Sequence, residues 1–118
     1  MSAAPSNLRL IREASPDCVV VAFWGRMDAE AVRQAAEGLD KAVEGTQPVV
    51  VDLTSVDAID SLGVALLVRL AKTLRDQGRE LAVIPGDGRV ARVLGLARVD
   101  RILNVALTRD AARRSLGL

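Results

Sequence analysis

The stretch Val49-Val-Val-Asp-Leu-Thr-Ser-Val-Asp-Ala-Ile-Asp-Ser-Leu-Gly63 decides the fold, because it changes period in mid-course. Val49 to Val51 and Leu53 form a short β-branched apolar run, as a strand covered on both faces requires. From Leu62 the spacing becomes helical. Leu62, Leu66, Leu70 and Leu74 recur every four residues, with Val64, Ala65, Leu67 and Ala71 filling the same face. Ser61 therefore falls at or next to a helix N-cap, where a side-chain oxygen can accept a free backbone N–H. Exposed amides and the positive end of the helix dipole make that position a seat for an anion. A phosphate on Ser61 would change the local charge by about −1.5 to −2.

Working outward, Asn7 to Glu13 reads as an edge strand, and Ser15-Pro16-Asp17 as a turn into a second strand, Cys18 to Trp24, ended by Gly25. The short connection predicts an antiparallel hairpin. Asp28 looks like an N-cap for a helix carrying Val32, Ala35, Ala36, Leu39 and Val43, stopped by Gly45 and Pro48. Beyond the central strand and helix, Gly78 closes the helix and Leu81 to Ile84 forms another strand. Pro85-Gly86-Asp87-Gly88 is a loop, and Val90, Val93, Leu94 and Ala97 mark a third helix. Ile102 to Val105 reads as a last short strand, and Thr108 caps a terminal helix. The expected order is β-β-α-β-α-β-α-β-α: an α/β domain with a mixed central sheet and flanking helices, spanning residues 1–118 with a core of about 7–117.

Composition narrows the function. The 118 residues are half apolar but hold one Phe, one Trp and no Tyr, so base stacking on single-stranded nucleic acid has no platform. A net charge of +1 points neither to nucleic acid nor to an anionic membrane. The charge is uneven: residues 1–60 carry −5 and residues 61–118 carry +6. The two halves packing against each other is the plainer reading, and a polar protein partner the sharper one. Cys18, the single cysteine, is expected in the core. No run approaches the roughly 20 apolar residues of a membrane span, and no secretory leader is evident, which fits a cytoplasmic protein.

Catalytic chemistry finds little footing. There is no His, hence neither the commonest general base nor a structural zinc site. Gly86-Asp87-Gly88 lacks the third glycine of a dinucleotide loop, and a plain turn explains it. Asp57 and Asp60, three apart, have no nucleophile to serve and read as loop and cap. Ser61 lies outside any Gly-x-Ser-x-Gly elbow. Arg113-Arg114 is expected to be solvated helix surface. The chain reads as a non-enzyme without cofactor or metal.

Asp60-Ser61-Leu62-Gly63 after the strand Val49 to Leu53 resembles the Asp-Ser-x-Gly signature of STAS domains, typified by bacterial anti-anti-sigma factors. Gly25-Arg26-Met27-Asp28 is similar to the family's Gly-x-Leu-Asp. Gly78, Val93-Leu94-Gly95-Leu96 and Asp100-Arg101-Ile102-Leu103 resemble its later pattern. The resemblance implies a switchable antagonist. The unphosphorylated form binds an anti-sigma factor serine kinase, a histidine-kinase-like ATPase, and phosphorylation of the signature serine separates the two.

Carried onto this sequence, the resemblance makes Ser61 the phosphoacceptor. Asp28, Asp57, Asp60, Ser61, Leu62 and Gly63 form the partner-binding face, with Gly63 permitting close approach. Leu62 stands where several members have a second hydroxyl, Met27 replaces a Leu, and Arg26 replaces an acid found in some members. The alternative the resemblance implies is a subunit docking on the ATPase of a lipid-transport ABC complex. A small enzyme or nucleotide-binding domain rests only on fold class. No direct contact with nucleic acid, no membrane insertion, and a monomer or weak dimer complete the expectation.

Overall fold

The computed structural model describes residues 8–86 and 88–118. Its elements are β1 (Arg9–Ala14), β2 (Val19–Met27), α1 (Ala29–Ala42), β3 (Val49–Ile59), α2 (Ser61–Asp76), β4 (Leu81–Ile84), α3 (Arg89–Leu96), α4 (Asp100–Leu103) and α5 (Arg109–Ser115). They build one four-stranded mixed sheet in the order β1-β2-β3-β4. β1 runs antiparallel to β2, while β2, β3 and β4 are parallel. The hairpin and the parallel crossovers are those that the apolar runs and their connections predict. Asn7 and Asp87, expected in the first strand and in a loop, lie outside the described residues.

Alternation sorts the strands' side chains onto two faces. Val19, Val21 and Phe23 of β2, with Val49, Val51 and Leu53 of β3, meet Leu39 of α1, Leu67, Leu70 and Leu74 of α2, and Leu94 of α3 in the main core. Cys18, Val50, Ala82 and Ile84 face the other way, against Ala112 of α5 and Leu116, its C-cap. Cys18 is thus the buried apolar residue it was expected to be. Each buried Leu or Val contributes roughly 1.5–3 kcal/mol relative to exposure, so the two clusters outweigh any polar contact in the molecule.

Three expectations need correction. β2 does not stop at Gly25 but continues to Met27. The glycine, at φ 101°, sits between two register shifts and bends the strand. β3 extends through Ile59, so Asp57 lies in a strand and not in a loop. The fifth strand is absent: Asp100–Leu103 is a helical turn, ended by Asn104 in the left-handed region. Val105 forms an isolated parallel bridge to Val83, through the Asn104 carbonyl and the Ala106 amide on either side of it. Leu103 is fully buried while Ile102 is half exposed, a helical distribution that a four-residue apolar run conceals.

The uneven charge has a packing explanation. Arg69 pairs with Asp40, Arg109 with both Glu13 and Asp52, and Arg113 with Asp17, each joining the basic half to the acidic half. Arg113 is therefore engaged, and Arg114 alone is free surface as expected. Hydrogen bonds from Arg113 and then Ser15 lower the Asp17 pKa to about 2. Burial pushes the Asp52 carboxyl up, but the Thr54 amide and hydroxyl and Arg109 outweigh it, and the net shift is downward.

Candidate functional site

Two parallel strands end side by side, and each runs straight into a helix. Met27 of β2 is in register with Ile59 of β3, and the Asp60 amide donates to the Met27 carbonyl at 3.2 Å. The residues that follow, Asp28 and Asp60, are both N-caps. The starts of α1 and α2 therefore lie together at the C-terminal edge of the parallel strands, where α/β sheets present their functional loops. Asp28 Oδ1 accepts from the Ala31 amide at 3.0 Å. Asp60 Oδ1 accepts from the amides of both Leu62 and Gly63, each at 3.0 Å.

Asp60, and not Ser61, is thus the cap of α2. Ser61 is the first helical residue and is exposed, and among the described residues its hydroxyl has no hydrogen-bond partner. The expected anion seat is also different in detail. Two first-turn amides are already held by a carboxylate, so an anion on Ser61 would face a like charge, not a row of free N–H groups.

Gly63 is fixed by its surroundings. A Cβ there would lie 2.6 Å from Ile59 Cγ1 and 2.8 Å from the Met27 carbonyl oxygen. Both distances are below van der Waals contact, so only glycine lets α2 seat this closely on the ends of β2 and β3. Leu62, one residue earlier, turns outward and is 48% exposed. Asp57 is exposed on β3, two residues before Ile59. Arg26, exposed on β2, is the nearby cation in sequence, and no ion pair joins it to Asp28, Asp57 or Asp60.

The six residues expected at the site, Asp28, Asp57, Asp60, Ser61, Leu62 and Gly63, thus all belong to one edge of the sheet. Ile59 was not anticipated as part of it. Its signal was its place as the last apolar residue of a strand before an acid, the position Met27 holds on the neighbouring strand. The surface offers one hydroxyl, three carboxylates and one half-exposed Leu, a set for contact and modification. Among the described residues no three His, Cys, Asp or Glu side chains are grouped as a metal ion needs. Nor is any described helix long and apolar enough to cross a membrane.

Comparison with known proteins agrees with this geometry. The family profile of the STAS domain matches residues 9–112. An anti-sigma factor antagonist from Mycobacterium paratuberculosis superposes with a TM-score of 0.87 at 20% identity, over 99% of this chain and 100% of that one. An anti-sigma-factor antagonist (STAS) domain protein from Planctomyces limnophilus gives 0.76 at 25% identity, over 96% and 99%. The anti-sigma factor antagonist SpoIIAA in its unphosphorylated form gives 0.71 at 20% identity, over 93% and 98%.

Proposed function

The chain belongs to the STAS domain family, and on that premise we propose that it is an anti-sigma factor antagonist switched by phosphorylation of Ser61. Its partner is an anti-sigma factor serine kinase of the histidine-kinase-like ATPase type, met in the cytoplasm. The protein performs no chemistry of its own. It presents Asp28, Asp57, Asp60, Ser61, Leu62 and Gly63 as a docking face, and the kinase modifies the serine within that face.

The observation that carries this reading is the division of labour between Asp60 and Ser61. Asp60 takes the capping bonds, leaving the Ser61 hydroxyl exposed and unengaged at a rigid position. A kinase can reach it without unwinding α2. Once phosphorylated, the residue adds about −1.5 to −2 charge next to a carboxylate that cannot move without uncapping the helix. Repulsion and the cost of desolvating the phosphate then both oppose a closed interface. The solved relatives named above are antagonists of anti-sigma factors, which favours this reading over docking on a transporter ATPase.

The test is to incubate the protein with its cognate kinase and ATP. Phosphate should appear on Ser61 by mass spectrometry, the complex should dissociate, and Ser61→Ala should stay bound and unmodified. Phosphate uptake by Ser61→Ala at the wild-type level would show that the site is misplaced. Co-purification with a transporter ATPase would favour the docking reading.

A further inference from the structure

The two edges of the sheet are treated differently. At the β4 edge, the Val83 amide donates to the Asn104 carbonyl at 3.2 Å and the Ala106 amide donates to the Val83 carbonyl at 2.9 Å. That edge is closed. At the other edge β1 pairs with β2 on one side, and among the described residues no strand pairs with its outer side. Alternate N–H and C=O groups of β1 therefore point outward as a template for another strand.

The outer face beside this edge is also uncovered. α5 packs on β3 and β4 and reaches β1 only through the Arg109–Glu13 ion pair at 2.8 Å, which leaves the Glu13 carboxylate 46% exposed and open to a second cation. Ile11 is 52% exposed and Trp24 is 38% exposed, and with Arg9 and Leu10 they line a shallow groove of about 630 Å³. Arg9 pairs with Trp24 and Ile11 with Ala22 across the hairpin. Arg9, Ile11, Glu13 and Trp24 consequently share one face.

We propose that the protein forms a two-fold dimer in which the β1 strands of two copies pair antiparallel about an axis at Ile11. The occupant follows from the sequence of the strand, Arg9-Leu10-Ile11-Arg12-Glu13. Centred on Ile11, Arg9 of each copy faces Glu13 of the other, twice, and Ile11 faces Ile11 with the two Trp24 rings flanking. Opposite charges directly across a ladder stabilise it and like charges destabilise it. Centring on Leu10 or on Arg12 loses both of these pairs, and the latter places Arg12 on Arg12. The charges that ordinarily keep an edge strand single here select one register. Such an interface is isologous and closes at two copies, because the β4 edge is taken. It does not rest on the reading of Ser61.

Three measurements on the full chain decide it. Sedimentation of the wild type should show a monomer–dimer equilibrium, and Ile11→Lys should raise its Kd by at least about tenfold. Trp24 is the single tryptophan, so its emission should shift to the red on dilution of the wild type and not of Ile11→Lys. Under mild oxidation Ile11→Cys should form a disulfide dimer, because Cβ atoms directly opposite lie within disulfide reach. Arg9→Cys should not, and Cys18 is fully buried and does not compete. A wild type that stays monomeric at about 1 mM, well above weak-dimer affinities, overturns the proposal. So does Arg9→Cys cross-linking as fast as Ile11→Cys, or an Ile11→Cys that stays monomeric.

Discussion

The starts of α1 and α2 are built on one plan and differ at three consecutive residues. Each follows a parallel strand, and each is capped by an aspartate, Asp28 or Asp60. The next three residues are Ala29, Glu30 and Ala31 in one, and Ser61, Leu62 and Gly63 in the other. α1 follows the general rule for a helix start, with an acid in its first turn and a methyl buried at the third position. α2 has no acid in its first turn, exposes a Leu there, and gives up the methyl. Each departure sets a local preference aside, and together they present a hydroxyl and an apolar side chain on a surface seated tightly against the sheet. Departures of this kind are expected at functional or strained sites.

The third position should separate the two most. Gly63→Ala forces a Cβ onto Ile59 and onto the Met27 backbone carbonyl, which has no rotamer to escape into. We expect a loss of about 2–4 kcal/mol. The mirror change, Ala31→Gly, should cost about 1 kcal/mol through helix propensity. Thermal melts of the two variants side by side measure the difference. Equal losses would mean that α2 is no more tightly seated than α1.

The first position separates them in binding. If the proposed kinase complex forms through this face, Ser61→Glu should weaken it by about 10–100-fold, through a charge placed beside Asp60 in a desolvated interface. Ala29→Glu adds the same charge to the neighbouring helix start and should cost less than about tenfold. Ser61 is exposed and Ala29 half-buried, and both changes should leave the melting free energy within about 0.5 kcal/mol of wild type. Equal losses of affinity would move the centre of the contact away from Ser61.

The caps come next. Asp60 holds two amides and Asp28 one. Asp60→Ala should therefore destabilise by about 1–2 kcal/mol and Asp28→Ala by about 0.5–1 kcal/mol, with Asp60→Asn recovering most of its loss. Denaturant titration resolves differences of this size.

These details were unevenly legible in the sequence. The change from apolar run to four-residue spacing placed β3 and α2, and the signature residues pointed to the candidate site, because both signals are local. The choice between Asp60 and Ser61 as the cap stayed open, since either residue type accepts an N–H and one residue of helix phase decides between them. The crowding at Gly63 was expected only as close approach. Its cause, the Met27 carbonyl and Ile59, comes from register between two strands 32 residues apart in the chain. Ile102 to Val105 read as a strand, while Ile102 and Leu103 belong to the helical turn Asp100–Leu103, because three apolar residues in four show no period. The open β1 edge was out of reach: the sequence shows a charged strand, and only the placement of α5 shows that its outer face is left bare around Ile11, with Arg109 reaching no further than Glu13.

The second position gives the smallest effect and the sharpest contrast. Leu62→Glu would give α2 the first-turn acid that Glu30 already supplies to α1. Leu and Glu have nearly equal helix propensity, and Leu62 is half exposed, so little burial is lost. Residues two apart on a helix do not face each other, so Asp60 does not oppose the new charge. The dipole term should then raise stability by about 0.3–0.5 kcal/mol at low salt. The same change should weaken the proposed kinase complex, since the exposed Leu is the one apolar group on an otherwise charged face. A rise in melting free energy together with a fall in affinity would show that this helix start gives up stability for contact. A fall in both would return Leu62 to the packing of α2, leaving Ser61 and Gly63 as the residues that set the two helix starts apart.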